Sequence, residues 1–491
     1  MQFRLIVLVA LSIVADARSW DDAKTVPMPV NGELPIATAA PSKSDVPPTA
    51  VEAKKDVAEL RSEGATKDDA PQFSVSWANG LEFISKKKDF RYHVGGRMHL
   101  DSAWFNAPDP LQTGPGGVGS LQDGSTIRRA RVRLDGTMYE VVEWIMEYDF
   151  AAAVANGNAA PFDAAGVTEF SVSLVKIPNV GTIAVGNMKE PYGFEHLTGV
   201  RYLDFIERST NYDAFSERFS LGYTPGAMIR NNYAEDNRGT WWLGIFHDTN
   251  APFGYGVGDQ HYAYDARITY LPLWDEGNER WLHVGASISH RNLNNDRVRL
   301  RIRPSLRSGP GPLTAVLADT GTLAATIQDI ANIELVLVSG PWTWQSECYA
   351  SWVHDAETIP AAGPGTPLGT LFYTGWYTQV LYFLTGETRP YNRKIANFER
   401  VRPIRNAKWG DDSDGECSNL GCGAWQIGAR FSHTDLLDVG IGAVLDDCTI
   451  GLNWYLNPNV KVQCNYIATH RTAYQAEGWI HGIGTRLAID F

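Results

Sequence analysis

The run Ile127-Arg128-Arg129-Ala130-Arg131-Val132-Arg133-Leu134 sets Arg129, Arg131 and Arg133 on one face of an extended chain and Ala130, Val132 and Leu134 on the other. A second run, Arg297-Val298-Arg299-Leu300-Arg301-Ile302-Arg303, repeats the pattern with four arginines. Same-face side chains on a strand stand about 6.6–6.8 Å apart, so an anion moving along such a face always has another guanidinium within reach. Arginine suits that task, because it stays charged and presents a flat fork of donors that matches oxyanion geometry. The histidines are scattered, and no nucleophile elbow, Gly-rich phosphate loop or metal-ligand spacing accompanies the arginines. The chemistry is that of passage, with no enzyme and no cofactor expected.

Such ladders need strands whose apolar face has somewhere to go. The C-terminal segment shows where. Ile483, Leu487, Ile489 and Phe491 fall on one face, and Gly484, Arg486, Ala488 and Asp490 on the other. A strand with one apolar face and a terminal aromatic looks like the last strand of an outer-membrane β-barrel. Arginine on the lipid face near the midplane costs about 2–4 kcal/mol, so both ladders are expected to line the lumen. The alternation places Arg97, Arg267, Arg430 and Arg486 inward as well. Lys189 and Arg208 fall near strand ends or loops, within reach of a constriction. Inward carboxylates (Asp101, Asp135, Glu143, Glu147, Asp149, Asp265, Glu347) are available as counter-charges, so each arginine has two possible fates, open or paired.

From residue 73 onward, alternating runs are separated by clusters of Gly, Pro, Asn and Asp. They predict strands at 90–105, 127–136, 141–150, 169–177, 181–188, 240–247, 262–270, 281–290, 297–303, 333–338, 342–353, 375–384, 423–432, 449–456 and 460–467, besides the C-terminal one, and none between 188 and 240. Strands of 9–11 residues with short turns on one side and long loops on the other fill the length as one barrel of about 16 strands. The expected fold is all-β, a transmembrane antiparallel β-barrel over 73–491. Residues 18–72 have few aromatics and many prolines, which predicts a flexible periplasmic tail. Residues 51–63 could form a short helix. Residues 1–17 read as a secretory signal, with Arg4, an apolar run and Ala15-Asp16-Ala17 as the cleavage site.

Trp342, Trp344, Trp352, Trp376, Trp425, Trp454, Tyr262 and Tyr264 lie on apolar faces, as membrane-interface girdles do. Few aromatics face inward, as a stacking slide for sugars would need. Cys348, Cys448 and Cys464 fall on the apolar side of strand-like runs, while Cys417 and Cys422 flank a loop and could bridge in an oxidising compartment. The net charge of −13 argues against a nucleic-acid partner. It leaves an anion pore open, because selectivity follows the field at a constriction.

Several stretches resemble the phosphate-selective porin O and P family, in order along the chain. They are 127–131 (Ile-Arg-Arg-Ala-Arg), 147–150 (Glu-Tyr-Asp-Phe), 185–191 (ending Lys189-Glu190-Pro191) and 205–209 (Phe-Ile-Glu-Arg-Ser). Similar too are 271–277, 319–321, 382–390 (ending Thr388-Arg389-Pro390) and 452–460. The resemblance covers about residue 90 to 491. It implies a 16-stranded homotrimeric barrel in the outer membrane that admits phosphate or other small anions past an arginine ladder and a lysine cluster. The family's ladder motif falls on Arg128, Arg129 and Arg131, its strand-end lysine on Lys189, and its Arg-x-Arg-x-Arg run on Arg297, Arg299, Arg301 and Arg303. Two departures stand out: the long tail, and the absence of lysine between Lys189 and Lys394. A broader anion channel, a sugar-type porin and a structural barrel tethered by its tail are the competing readings.

Overall fold

Side-chain alternation along each strand decides the architecture. The computed structural model describes residues 72–151, 166–217, 222–248, 261–277, 279–309, 314–360, 363–408 and 423–491. The expected signal segment, the tail before residue 72, the helix near 51–63 and the pair Cys417 and Cys422 lie outside them.

Sixteen antiparallel strands close into a barrel. They are β1 (Phe90–Asn106), β2 (Gly124–Met138), β3 (Val142–Asp149), β4 (Gly166–Ile177), β5 (Gly181–Lys189), β6 (Tyr223–Tyr233), β7 (Gly239–His247) and β8 (Tyr262–Asp275). β9 (Arg280–Asn292), β10 (Ile327–Ser339), β11 (Trp342–Thr358), β12 (Pro367–Phe383), β13 (Ala424–Asp435), β14 (Val444–Asn457), β15 (Val460–Thr472) and β16 (Gly478–Asp490) complete it. β16 returns to β1 in the register Arg486↔Asp101, and the Phe491 N–H donates to the Gly96 carbonyl at 2.9 Å. Closure leaves no unpaired edge, the condition for crossing lipid with strands. Outward residues such as Ile483, Leu487, Ile288 and Ile333 are exposed, while inward Arg486, Arg430 and Asp447 are buried. Cys348, Cys448 and Cys464 are unbridged and outward. No described helix is long and apolar enough to span a membrane.

The first barrel strand begins at Phe90, and residues Phe73–Trp77 and Leu81–Ser85 form a hairpin that pairs with its start. Two sequence expectations need correction. β6 went unpredicted because Pro225, Gly226, Asn231 and Asn232 mask its alternation. The run Arg297–Arg303 is not a barrel strand. It lies in the long connection between β9 and β10, with only the two-residue strands Arg297–Val298 and Arg301–Ile302. Its apolar face is real, but Val298, Leu300 and Ile302 pack on Leu293, Leu317 and Leu371 inside the protein. Without lipid on that face, the argument that forced its arginines into the lumen does not apply.

Most connections follow the expected asymmetry. One end carries short turns (139–141, 178–180, 340–341, 458–459), and the other carries longer loops. The 384–423 connection breaks the rule, being long on the turn side. The loop after β5 (190–222, described to residue 217) folds into the lumen. Glycines on the far wall make room for it. Phe205 lies 3.0 Å from where a Cβ on Gly451 would sit and 3.3 Å from one on Gly428. At Gly375 an added Cβ would lie 1.8 Å from Asn211 Oδ1. The variant Gly375→Val is therefore expected to push the 210–212 segment off β12 and raise single-channel conductance. An unchanged conductance would show that the loop does not limit the pore.

Candidate anion passage

The inward loop is held at many points around the wall. The Glu347 carboxylate accepts the N–H groups of Phe194 and Glu195, both at 2.8 Å, from the helical turn Phe194–Leu197. Asn453 donates to the Asp204 carbonyl at 2.7 Å and Lys461 to the Leu203 carbonyl at 2.7 Å. Arg430 donates to the Glu207 carbonyl at 3.1 Å, and Arg486 to the Ile206 carbonyl. A loop tied to β11, β13, β14, β15 and β16 crosses the lumen and narrows it. The slit left between it and β11–β12, lined by Glu195, Asp204, Phe205, Gln345 and Gln379, measures about 10 Å³. That is room for about one water.

Glu207 is the hub of this crossing. Its carboxylate takes Arg128 Nε at 3.0 Å and Arg486 Nη2 at 2.9 Å, with Arg129 Nη1 at 3.6 Å. Burial alone would raise the Glu207 carboxyl, but Arg128, Arg129 and Arg486 hold it well below the usual carboxylate range. Arg128 reaches the lumen because the β1–β2 register slips between His99 and Leu100, a bulge that re-aims the side chain.

The first ladder is inward as expected, and largely counter-charged. Arg97 pairs with Glu147; Arg131 holds Glu147 at 2.9 Å and Asp149 at 2.7 Å; Arg133 holds Asp135 at 3.0 Å and Glu169 at 3.3 Å. Arg267, on β8, is buried against Glu334 at 2.7 Å. Among the described residues, the hydrogen-bond partners of Lys189 are the carbonyls of His196 and Thr198, to which it donates. Of the second run, Arg299 pairs with Asp319 at 2.8 Å in an exposed position, and Arg303 with Asp213 of the inward loop. Arg297 is exposed and Arg301 half-buried. The structure thus gathers Arg97, Arg128, Arg129, Arg131, Arg133 and Lys189 along the β1–β5 wall, and sets Arg267, Arg297, Arg299 and Arg301 apart. Because an exposed pair contributes only about 0–1 kcal/mol, Arg299→Ala is expected to leave reversal potential and stability nearly unchanged. A large loss of anion preference in that variant would return the second run to the passage.

Among the described residues seven buried arginines keep donors open: Arg97, Arg267, Arg291 and Arg389 at one atom each, and, at the loop crossing, Arg129 at Nε, Arg307 at Nε and Nη1, and Arg430 at Nε and Nη2. Arg129 reaches Glu207 by its weak pair and Arg430 through the Glu207 carbonyl, while Arg307 pairs with Asp213 of the same loop at 3.5 Å. Buried guanidinium donors left open are a standing demand for an acceptor, which a passing anion can meet. Arg430 was legible as an inward position. Arg307 was not, because it lies in the β9–β10 connection. Lys461 and Arg291 were readable by extending the inward alternation of β15 and β9.

Another inserted segment comes from the turn side. Within 384–408, Arg389 donates to the Tyr202 carbonyl and lies 3.4 Å from Asp204. Asn397 donates to the Leu197 carbonyl at 3.1 Å, and Phe398 packs with Phe194, Trp281 and Val336. Nothing in the alternation signals this segment, since its contacts come from loop residues. Between it and the β1–β7 wall lies a chamber of about 470 Å³, lined by Arg97, Arg133, Lys189, Arg201, Tyr202 and Arg230 among others.

A closed barrel with loops folded into its lumen defines a channel of the porin class. The chain matches the family model for phosphate-selective porin O and P over residues 93–491, and it belongs to that family. It is therefore a porin of the outer membrane, a channel rather than an enzyme. It is 23% identical to Porin O of Pseudomonas aeruginosa over 82% of this chain and 88% of that one. It is 27% identical to an uncharacterized protein of Caulobacter vibrioides over 80% of this chain and 71% of that one. Among solved structures, it is similar to the outer membrane channel DcaP of Acinetobacter baumannii (TM-score 0.46, 13% identity, 83% and 99% covered). It is likewise similar to a loop-deletion mutant of OmpT of Vibrio cholerae (TM-score 0.46, 10% identity, 82% and 100% covered).

Proposed function

We propose that this porin passes small anions, phosphate or related oxyanions among them, by offering the open donors of Arg129, Arg307 and Arg430 at the crossing of the inward loop. That set of open donors on buried, otherwise paired guanidinium groups is the observation that carries the reading. At the constriction they stand in for part of the anion's hydration. Glu207 keeps the site from binding too tightly, since conduction needs a site that releases as readily as it accepts. Arg97, Arg131 and Arg133, with their carboxylates, polarise the wall leading to the turn-side chamber. Lys189 and Arg208 donate to loop carbonyls and fix the loop. The family membership supports the same substrate class and adds a homotrimer and a periplasmic N-terminal tail as further proposals. The mass of the full-length protein in detergent tests the first of these.

The test of the site is phosphate titrated into a KCl-bathed bilayer carrying the refolded full-length protein. Saturable block of chloride current is expected. Current that ignores phosphate sinks the oxyanion site. In that case the pairing of Arg97, Arg131 and Arg133 with carboxylates favours the second reading, a general porin whose charged walls only orient water.

A further inference from the structure

The turn-side chamber is more apolar than a passage for small hydrated anions requires. Its volume of about 470 Å³ falls in the range of sites that take an organic molecule. The wall changes character from strand to strand. On β1–β4 the lining is ionic or hydroxylic, with Arg91, Arg133, Glu169 and Ser171 among it. On β5–β7 it is Met188, Met228 and Trp242, and the inserted segments add Tyr202, Ile395 and Phe398. Met228, Tyr202 and Ile395 are half-buried, while Met188, Trp242 and Phe398 are buried. Along β7, Leu243 and Ile245 are exposed to the outside, and Trp242 and Phe246 are buried inside. Met188, Met228 and Phe246 pack as one cluster with Ala184 and Ala263. A hydrated inorganic anion gains nothing from such a wall, because an apolar side chain cannot replace its water. An apolar body entering the chamber gains by leaving water.

The charges divide in the same way. On the β1–β4 side, Arg91 holds Glu82 and Asp135, Arg133 holds Asp135 and Glu169, and Arg97 pairs with Glu147. His93 lies 3.1 Å from Asp135. Glu143, on β3, adds a carboxylate and acts on Arg230 from three strands away. Beside the apolar wall stand Lys189, Arg201 and Arg230, with Glu399. Glu399 accepts hydrogen bonds from Asn392 at 2.9 Å and from the Tyr202 hydroxyl at 3.4 Å. Arg201 lies over the Tyr202 ring at 5.8 Å, with Asp490 at 3.9 Å. Arg230 lies over the Trp242 ring at 5.1 Å, and its Nη1 donates to the Lys394 carbonyl at 3.3 Å. A guanidinium carries several donors, so this one can still take an anion while it stays against the ring.

We propose that the chamber is a binding site for aromatic carboxylates. The ring lies against Trp242 and Met228, and the carboxylate takes the fork of Arg230, with Arg201 adding its charge. Aromatic rings bury a large area each, and methionine adapts to their shape. A planar guanidinium matches a carboxylate edge to edge. The chamber uses none of the donors at the Glu207 crossing, so this site stands or falls apart from the phosphate site.

The test is single-channel recording of the refolded full-length protein in KCl at neutral pH, with benzoate, acetate, benzyl alcohol or benzylammonium added in turn. Benzoate is expected to block at least about tenfold more strongly than acetate, burial of about a third of its ring sufficing for that. It should also exceed benzyl alcohol and benzylammonium, which lack the negative charge. Trp242→Gln and Met228→Gln, made separately, should each weaken benzoate block several-fold. Arg230→Gln should lower it to the level of benzyl alcohol. Open conductance in KCl reports that each variant's barrel is intact. Benzoate block should persist in the Arg129→Ala, Arg430→Ala double variant. Acetate, benzyl alcohol or benzylammonium blocking as well as benzoate overturns the proposal. So does benzoate block that survives in all three chamber variants. Loss of benzoate block in the double variant also overturns it, because the aromatic anion would then sit at the crossing.

Discussion

Glu207→Gln is expected to turn a site that releases anions into one that holds them. The carboxylate neutralises Arg128, Arg129 and Arg486 where the inward loop crosses the lumen. The amide keeps the size and one acceptor but removes the charge. Two unit charges 4 Å apart interact by about 4 kcal/mol near a protein surface, so phosphate block should tighten by at least about tenfold and its release should slow. The same change leaves buried cations without a counter-charge, which costs about 3–5 kcal/mol when no anion is present. Thermal unfolding of the variant should therefore become phosphate-dependent, with the loss largely restored at high phosphate. A variant that blocks like the parent, and melts alike with and without phosphate, would show that Glu207 is remote from the anion.

The second large effect is expected from Arg129→Ala combined with Arg430→Ala. These residues approach Glu207 from β2 and β13. Each retains open donors. A hydrogen bond to a charged group contributes about 1.5–3 kcal/mol. Losing both should weaken phosphate block on the order of a hundredfold. The barrel should persist, because Arg486 still holds Asp101 at 2.6 Å and Arg128 still holds Glu207. Titration of phosphate against single-channel current reads the change directly. Undiminished block in the double variant would move the site elsewhere, most naturally to the turn-side chamber with Arg201 and Arg230.

What could be read from the sequence, and what could not, divides along a physical line. Period-two alternation is local, so strands and their inward residues were visible: Arg97, Arg131, Arg267, Arg430 and Arg486 all face the lumen as expected. Pairing is not local. Whether Arg131 meets Glu147 depends on the β2–β3 register, and whether Arg128 enters the lumen depends on a bulge. The Arg297–Arg303 run shows the limit of alternation itself. An apolar face needs cover, but lipid and a neighbouring loop cover it equally well. β6 shows the converse, a true strand hidden by Pro225 and by Asn residues. The count of about 16 survived because one false strand replaced one missed strand. The donors of Arg307 and the insertion of Arg389 depend on long connections returning into the lumen, which no period reports.

The most direct test of the central claim is the reversal potential of the refolded full-length protein in a planar bilayer under a KCl gradient. Open guanidinium donors where the inward loop crosses the lumen predict a reversal potential close to the chloride limit, collapsing toward zero in the Arg129→Ala, Arg430→Ala double variant. A reversal potential near zero or on the potassium side in the parent protein would contradict an anion-selective passage, and would mean that the carboxylates around those arginines set the field.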